Sequence, residues 1–475
     1  MREIGLALFC AWLTIGSADM AAAQEPAEET AEETTEAATE AESPKSVEER
    51  LDELDQKVRV LDRKSELDKE QAAEKAKTAG QITAGKDGFT LKSADGAFQL
   101  KIRGYTQLDG RFYNGDDERP ANDTFLLRRI RPNIEGTLFK IFDFRIMPDF
   151  AQGQTVLFDG YLEGRFSPAF KVRAGKFKPP VGLERLQSAT DTFFAERAFP
   201  TSLVPNRDVG IQLSGDLAGG GVNYAIGYFN GVPDGANGGD VDAEDDKDLA
   251  ARLFFTPFAK GGGTLKGLGF GVAASQGSTT GSATATGLPG YRTPGQQTFF
   301  SYRTDAVTPA NTAFADGDRT RFSPQGYLYI GQFGLLTEYV QSSQEVRRGT
   351  VVEELENEAW QVAASWVLAG GEPSFRGVNP KTVFDPTANT WGAFEVVARI
   401  SSLDVDDKAF PLFANPASAA SAADSIGLGF NWYLNRNLKL MLDYERTEFE
   451  GGASIADGGD REDESVLFSR FQIAF

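Results

Sequence analysis

The last nine residues constrain the fold of this chain more than any other segment. Leu467, Phe471, Ile473 and Phe475 share one face of an alternating run, with the small Ser469 between them. Arg470, Gln472 and Ala474 lie on the other face, with Phe468 among them. A strand that is apolar on one side, polar on the other and ends on an aromatic residue fits the closing strand of an outer-membrane β-barrel. Any half-buried strand alternates in this way, so the remainder of the chain has to discriminate.

No stretch after the first two dozen residues approaches the roughly 18 apolar residues a spanning helix needs, which excludes a helical membrane protein. The 51 glycines and 36 phenylalanines suit many short strands joined by Gly-rich turns. Residues 1–23 read as a secretory signal: Arg2 starts it, Ile4 to Ile15 is the apolar run, and Ala21-Ala22-Ala23 offers a cleavage site before Gln24. The single cysteine, Cys10, lies inside that segment, so the mature chain would hold none and no disulfide would stabilise it. There is no histidine, which removes Ser-His-Asp and Cys-His catalysis and most zinc sites together. No carboxylate pair stands out for acid–base work. The expectation is a protein that is not an enzyme and needs no cofactor or metal.

Residues 24–45 are Glu, Thr, Ala and Pro with almost no bulky apolar side chain, a disordered acidic spacer. From 46 to 77 the character changes. Val47, Leu51, Leu54, Val58 and Leu61 are spaced 4, 3, 4 and 3, an a/d seam amid charged residues. This predicts a short periplasmic coiled coil holding protomers together, most simply as a homotrimer; the alternative is an amphipathic helix lying on its own barrel.

From about residue 88 to 475 the period becomes 2. Sixteen strands are predicted: 97–112, 124–139, 141–151, 154–167, 169–178, 207–217, 221–230, 247–257, 265–276, 319–332, 334–346, 357–369, 390–404, 424–434, 438–449 and 464–475. Short connections alternate with long ones such as 179–206, 231–246, 277–318 and 405–423, the outer-membrane pattern of short periplasmic turns and long external loops. Two connections break it: 152–153 is short for an outer loop and 370–389 long for a turn. The segment 277–318 has room for extra strand pairing around Phe299 to Tyr302. The predicted fold class is all-β, a 16-stranded antiparallel transmembrane barrel behind a short N-terminal coiled-coil helix.

Several phrases carry a family resemblance. Leu127-Arg128-Arg129-Ile130-Arg131-Pro132 with Glu135-Gly136, Asp149-Phe150, Gly175-Lys176-Phe177-Lys178-Pro179-Pro180 and Glu196-Arg197 stand in this order. Trp391-Gly392-Ala393-Phe394-Glu395 with Arg399, and Asn431-Trp432-Tyr433-Leu434-Asn435, follow. Together they resemble the phosphate-selective porin O and P family over about 95–475. The resemblance implies a sixteen-stranded trimeric barrel whose third long loop, here about 179–206, folds inward to narrow the pore.

A pore of that kind selects through fixed charges along a wet path. Arginine suits phosphate, because its planar fork donates two parallel hydrogen bonds and stays charged. Strand alternation puts Lys101, Arg103, Arg111, Arg129, Arg131, Arg145, Arg165, Lys171, Arg173 and Arg252 on faces opposite the apolar ones. Lys176, Lys178, Arg185 and Arg197 are the candidate cations of the constriction loop. The same faces carry Asp109, Glu135, Asp143, Asp149, Asp159 and Glu163, so a weakly selective solute porin stays open as an alternative. A third reading is a structural protein that tethers the membrane through the spacer and coiled coil. The acidic run Asp234 to Asp248 lacks the spacing of a calcium loop. The net charge of −21 speaks to solubility and steering, not to pore lining. The partners expected are outer-membrane lipid and lipopolysaccharide and small anions such as phosphate, with no nucleic acid.

Overall fold

The computed structural model describes residues 46–475 apart from 86, 116–120, 243–244, 262, 306 and 455–458. The expected signal and acidic spacer, 1–45, lie outside the described residues. Two units are distinct, residues 1–73 and 74–475.

Helix α1 runs Val47–Thr78. Ser46 caps it: the Glu49 N–H donates to Ser46 Oγ at 3.2 Å, and the Ser46 N–H donates to Glu49 Oε2 at 3.0 Å. That reciprocal pair satisfies two of the donors a helix start leaves open. Lys57–Glu53 and Arg59–Asp55 add ion pairs one turn apart. Val47, Leu51, Leu54, Val58 and Leu61 are each at least 52% exposed, so the apolar seam is uncovered in a single chain.

The second unit is a closed antiparallel barrel. Two strands precede it, β1 (Gln81–Gly85) and β2 (Gly88–Lys92). Its sixteen strands, among the described residues, begin with β3 (Gln99–Asn114), β4 (Thr124–Leu138), β5 (Phe142–Asp149) and β6 (Val156–Ser167). They continue with β7 (Phe170–Phe177), β8 (Asp208–Leu217), β9 (Val222–Phe229), β10 (Asp248–Phe255) and β11 (Gly267–Thr280). After a small hairpin, β12 (Gly290–Arg292) and β13 (Thr298–Ser301), come β14 (Phe314–Ile330), β15 (Phe333–Arg348) and β16 (Val351–Ala369). A second small pair, β17 (Phe384–Asp385) and β18 (Thr390–Trp391), precedes β19 (Ala393–Asp404), β20 (Ala420–Tyr433), β21 (Leu438–Gly451) and β22 (Glu464–Ala474). Each strand pairs with the next, and β22 pairs with β3 from Ser465↔Asn114 to Ala474↔Tyr105, which closes the sheet. Phe475 completes the seam: its N–H donates to Gly104 O at 2.9 Å and its carbonyl accepts from Gly104 N–H at 3.0 Å. The start of β3 extends past β22, and β2 pairs there through Phe89↔Ile102 to Lys92↔Gln99, covering an edge that would otherwise be open.

The barrel is apolar outside and polar inside. Ile146, Leu162, Ile211, Ile226, Phe322, Leu428, Leu442 and Phe471 are exposed on the outer wall. Gln107, Asp109, Arg129, Arg321, Glu338, Gln361, Arg399, Glu445 and Arg470 are buried inside. That inversion separates this barrel from a soluble sandwich, whose apolar face points inward. Aromatic residues gather at the rim carrying the short turns, here the inner rim: Phe142 packs on Phe166, Phe333 on Trp366, and Phe384 on Trp391 and Trp432. Such a girdle marks a membrane–water boundary. Leu428, 60% exposed between Ala398 and Tyr444, tests the outer wall. Leu428→Arg is expected to cost about 2–4 kcal/mol, read as the urea midpoint of the barrel folded into bilayers; Leu428→Met should be close to neutral.

All sixteen predicted strands are present, with shifted ends. β15 and β16 are longer than expected and meet in a two-residue turn at 349–350, because the alternation extends past the acidic run Glu353–Glu358. The outer connection between β5 and β6 covers 150–155, and Thr298–Ser301 pairs with Gly290–Arg292 inside the long loop. The inner turn between β16 and β19 is longer than expected, 370–392, and holds β17 and β18. Alternation also begins earlier than residue 88, at β1.

Candidate functional site

Residues 178–207, between β7 and β8, lie inside the barrel along one half of its wall. Their backbone is held by wall side chains one after another. Gln107 Nε2 donates to Ala189 O, Gln472 Nε2 to Thr190 O, Lys439 Nζ to Thr192 O and Asn431 Nδ2 to Phe193 O, at 2.9 to 3.1 Å. Asp443 accepts from Ala195 N–H at 2.7 Å, and Arg399 Nη1 donates to Glu196 O at 3.0 Å. Glu338 accepts from the Leu183 and Glu184 N–H groups at 2.5 and 3.1 Å. These partners come from β3, β15 and β19–β22. A loop buried in a barrel needs such acceptors and donors for its own backbone, and the long wall supplies them.

The tightest knot is Glu196. Arg128 donates to both of its oxygens, at 2.5 and 3.0 Å. Arg111 and Arg470 reach Oε1 at 3.2 and 3.1 Å, and Arg129 stands 3.6 Å from Oε2. Arg470 also grips Asp109 with both arms of its fork, at 2.6 and 2.7 Å. Burial alone would push the Glu196 carboxyl up, but Arg128, Arg129 and Arg470 together hold it well below the usual carboxylate range.

With the loop against that half of the wall, the lumen left open is bounded by strands β4–β10. A cavity of about 450 Å³ lies there. Arg131, Arg145, Lys171, Arg173, Lys178, Arg197, Arg207 and Arg252 line it, against the carboxylates Asp159 and Glu163. Three more acids stand behind the lining: Asp149 pairs with Arg131, Glu135 with Arg145 and Asp216 with Lys171, each at 2.7 Å. Eight cations against five acids leave a positive excess. Three of the cations pair with no carboxylate among the described residues. Lys178 donates to Gln187 O at 2.9 Å and Arg197 to Glu184 O and Gln187 O at 3.0 and 2.9 Å, while Arg252 donates to Gln325 Oε1 at 3.2 Å and lies 4.2 Å from the Phe254 ring centre. Neutral acceptors fix their geometry and leave their charge for a passing anion.

The loop cations feel one another. Burial, then the Arg207 and Arg197 guanidiniums, hold the Lys178 ammonium well below the ordinary lysine value. Burial and the same two neighbours, Arg197 first, bring Arg185 down to about 9, and burial brings Arg207 down to about 10. A lowered lysine pKa means its charge is lost as pH rises, earlier than the ordinary value near 10.4. Anion preference is therefore expected to decline between neutral pH and about 10, followed as zero-current potential against pH. In Lys178→Arg the decline should be smaller and begin at higher pH, because Arg185 and Arg207 still lose charge near 9 and 10.

Of the predicted lining residues, Arg131, Arg145, Lys171, Arg173, Arg252, Lys178 and Arg197 meet in this cavity. Arg129 and Arg185 line an outer cavity of about 480 Å³, which shares Arg197 with the first. Arg103, paired with Glu135 at 3.3 Å, lines an inner-mouth cavity of about 680 Å³. Arg111 is withdrawn behind Glu196, and Lys101 is half-buried near the inner rim. Arg165 pairs with Asp143 and donates to Lys140 O, at the rim. Lys176 belongs to β7, not to the loop. It shares the parity of Val172 and Ala174, and its ammonium is tied to Asp240 at 2.9 Å.

Two cations escaped the sequence reading. Arg128 has the wrong parity, but the pairing of β3 and β4 slips between Gln107↔Arg129 and Leu108↔Leu127, and that bulge turns Arg128 inward beside Arg129. Arg207 stands just before β8, where alternation gives no direction; it pairs with Asp159 at 3.2 Å. Among the described residues no group of three or more His, Cys, Asp or Glu side chains could hold a metal ion, and no helix is long and apolar enough to cross a membrane.

Comparison with known proteins follows the same lines. The family described as phosphate-selective porin O and P matches residues 98–475. No curated protein matches the sequence. The anion-selective porin from Comamonas acidovorans is similar in structure at 13% identity and a TM-score of 0.50, over 80% of this chain and 100% of that one. The outer membrane channel DcaP of Acinetobacter baumannii is similar at 11% identity and a TM-score of 0.50, over 83% of this chain and 99% of that one. At such identities the likeness is one of fold.

Proposed function

Since the chain belongs to the phosphate-selective porin O and P family and is an outer-membrane porin, a channel rather than an enzyme, we propose that it passes small anions in preference to cations, phosphate among them. The observation that carries this is the cavity between loop 178–207 and strands β4–β10, where Lys178, Arg197 and Arg252 are held by carbonyls, an amide and a ring and pair with no carboxylate. An ion entering must trade water for fixed donors, and here the donors suit an oxyanion. Loop 178–207 acts as the constriction, and lumen-facing Arg103, Arg129, Arg131, Arg145, Lys171 and Arg173 extend the positive path on both sides of it.

Swelling of proteoliposomes tests the proposal. A small anionic solute should enter faster than an uncharged solute of equal size, and added phosphate should reduce chloride current. Equal entry rates would favour a weakly selective pore, which the carboxylates Asp159 and Glu163 in the same cavity make the relevant alternative.

The N-terminal region lies in the periplasm in this proposal. The uncovered seam of α1 then joins copies of the chain, as a trimer in the simplest case. Deleting residues 46–77 should shift the detergent-solubilised protein toward monomers by analytical ultracentrifugation while single-pore conductance stays unchanged. An undiminished oligomer would remove α1 from that role.

A further inference from the structure

Most inner turns of this barrel are short, as 139–141, 168–169, 331–332 and 434–437 show, but 370–392 is not. Its C-terminal part is pinned at the rim. Phe384 packs tilted on Trp391 and edge-on to Trp432 at the aromatic girdle, and the Phe384 N–H donates to Leu434 O at 2.6 Å. Its tip goes the other way. Phe375 stacks on Tyr327 of the inner wall at 5.0 Å between ring centres and 22° between planes. Val378 is 6% exposed, packed with Val367, Ala393 and Tyr433. The Phe375 carbonyl accepts from Gln187 Nε2 of loop 178–207 at 2.8 Å, so the turn and the loop meet inside the lumen. The tip itself is a tight bend, closed by Ser374 Oγ, which donates to Gly377 O at 2.8 Å and accepts from Arg376 N–H at 3.2 Å. That bend turns Arg376 outward to solvent, where it lines the 680 Å³ inner-mouth cavity with Arg103, Arg436 and Lys439. Among the described residues no carboxylate stands within ion-pair distance of Arg376, although Asp191 in the same cavity feels its charge, whereas Arg103 faces Glu135 and Arg436 faces Asp87.

From this placement we propose that segment 370–392 is a second constriction, entering from the inner rim, and that Arg376 at its tip is a specificity-determining residue that gathers anions at the inner mouth. The inference rests on the anion preference proposed above and adds to it a site on the opposite side of loop 178–207. A solvated charge acts within about one Debye length, some 10 Å at 0.1 M salt, so its effect belongs to the inner mouth and is strongest when salt there is low.

The test changes the charge after the barrel has assembled, which keeps folding out of the result. In a Cys10→Ser background, Arg376→Cys is reconstituted in a planar bilayer and treated with a negatively charged thiol reagent from each side in turn. Current should fall faster with reagent on one side, the side opposite to the one that modifies Arg292→Cys in the outer cavity fastest. Modification should lower the anion-to-cation permeability ratio by about twofold at 0.1 M salt, and, once a small thiol has reduced the mixed disulfide, a positively charged reagent should restore it. If the unmodified protein shows no anion preference, the proposed function itself fails. If it prefers anions but neither reagent alters the ratio or the conductance, Arg376 has no such role and this inference alone is overturned.

Discussion

Glu196→Gln loosens loop 178–207 and lowers the stability of the barrel by about 3–5 kcal/mol, read as the urea midpoint in bilayers. Four guanidiniums converge on this one carboxylate, and the substitution removes the charge while keeping the shape. Arg470 retains Asp109, but among the described residues Arg128 and Arg129 have no other carboxylate within ion-pair distance, and Arg129 would be left buried with only the Gln107 amide while Arg128 stays half-buried. Breaking a buried pair in that manner costs more than the pair contributes net, because the remaining charge stays out of water. The same substitution adds a net positive charge at the wall of the outer cavity, so anion preference should rise as stability falls. The pH dependence has a definite sign. A carboxylate depressed in the folded state contributes stability that is present above its unfolded pKa and lost as pH falls through the folded value. Glu196 is held well below the usual range, so wild-type docking of the loop should survive acid that protonates ordinary glutamates, whereas Glu196→Gln should be insensitive over that window.

Arg252→Glu reverses the charge at one of the cavity cations without touching the loop. Arg252 stands on β10, hydrogen-bonded to Gln325 and over Phe254, and pairs with no carboxylate. A unit charge a few Å from the ion path in a partly wet pore is worth about 1–2 kcal/mol, and reversal counts it twice. The anion-to-cation permeability ratio is expected to drop by about tenfold or more, measured in a bilayer under a salt gradient. Arg165→Glu is the control. That residue sits exposed at the inner rim, already paired with Asp143, and its reversal should change the ratio far less.

Much of this arrangement was legible in the residues. Period 2 located every barrel strand and put Arg131, Arg145, Lys171, Arg173 and Arg252 on the lumen side, because strand alternation is a rigid geometric rule. Phe475 and Arg470 divide as the closing strand requires, the first 41% exposed outside and the second fully buried inside. What alternation cannot express was missed. A one-residue slip opposite Gln107 turned Arg128 inward, and no pattern in Leu127-Arg128-Arg129 announces it. The half of the wall that holds the loop depends on long-range matches between its backbone and Gln107, Asn431, Asp443 and Gln472. Those side chains read in sequence only as polar lumen positions. Lys176 looked like its neighbour Lys178, yet strand parity sends it to Asp240. The inward course of 370–392 was visible only as an overlong turn, since Phe375 meets Tyr327 on β14, two strands from where the turn leaves β16.

Anion preference itself is tested most directly by the zero-current potential of the unmodified protein in a planar bilayer separating concentrated from dilute potassium chloride. A pore lined by eight cations and five acids should hold that potential on the chloride side of zero, with the offset shrinking as salt rises on both sides. A potential on the potassium side would contradict the proposed function.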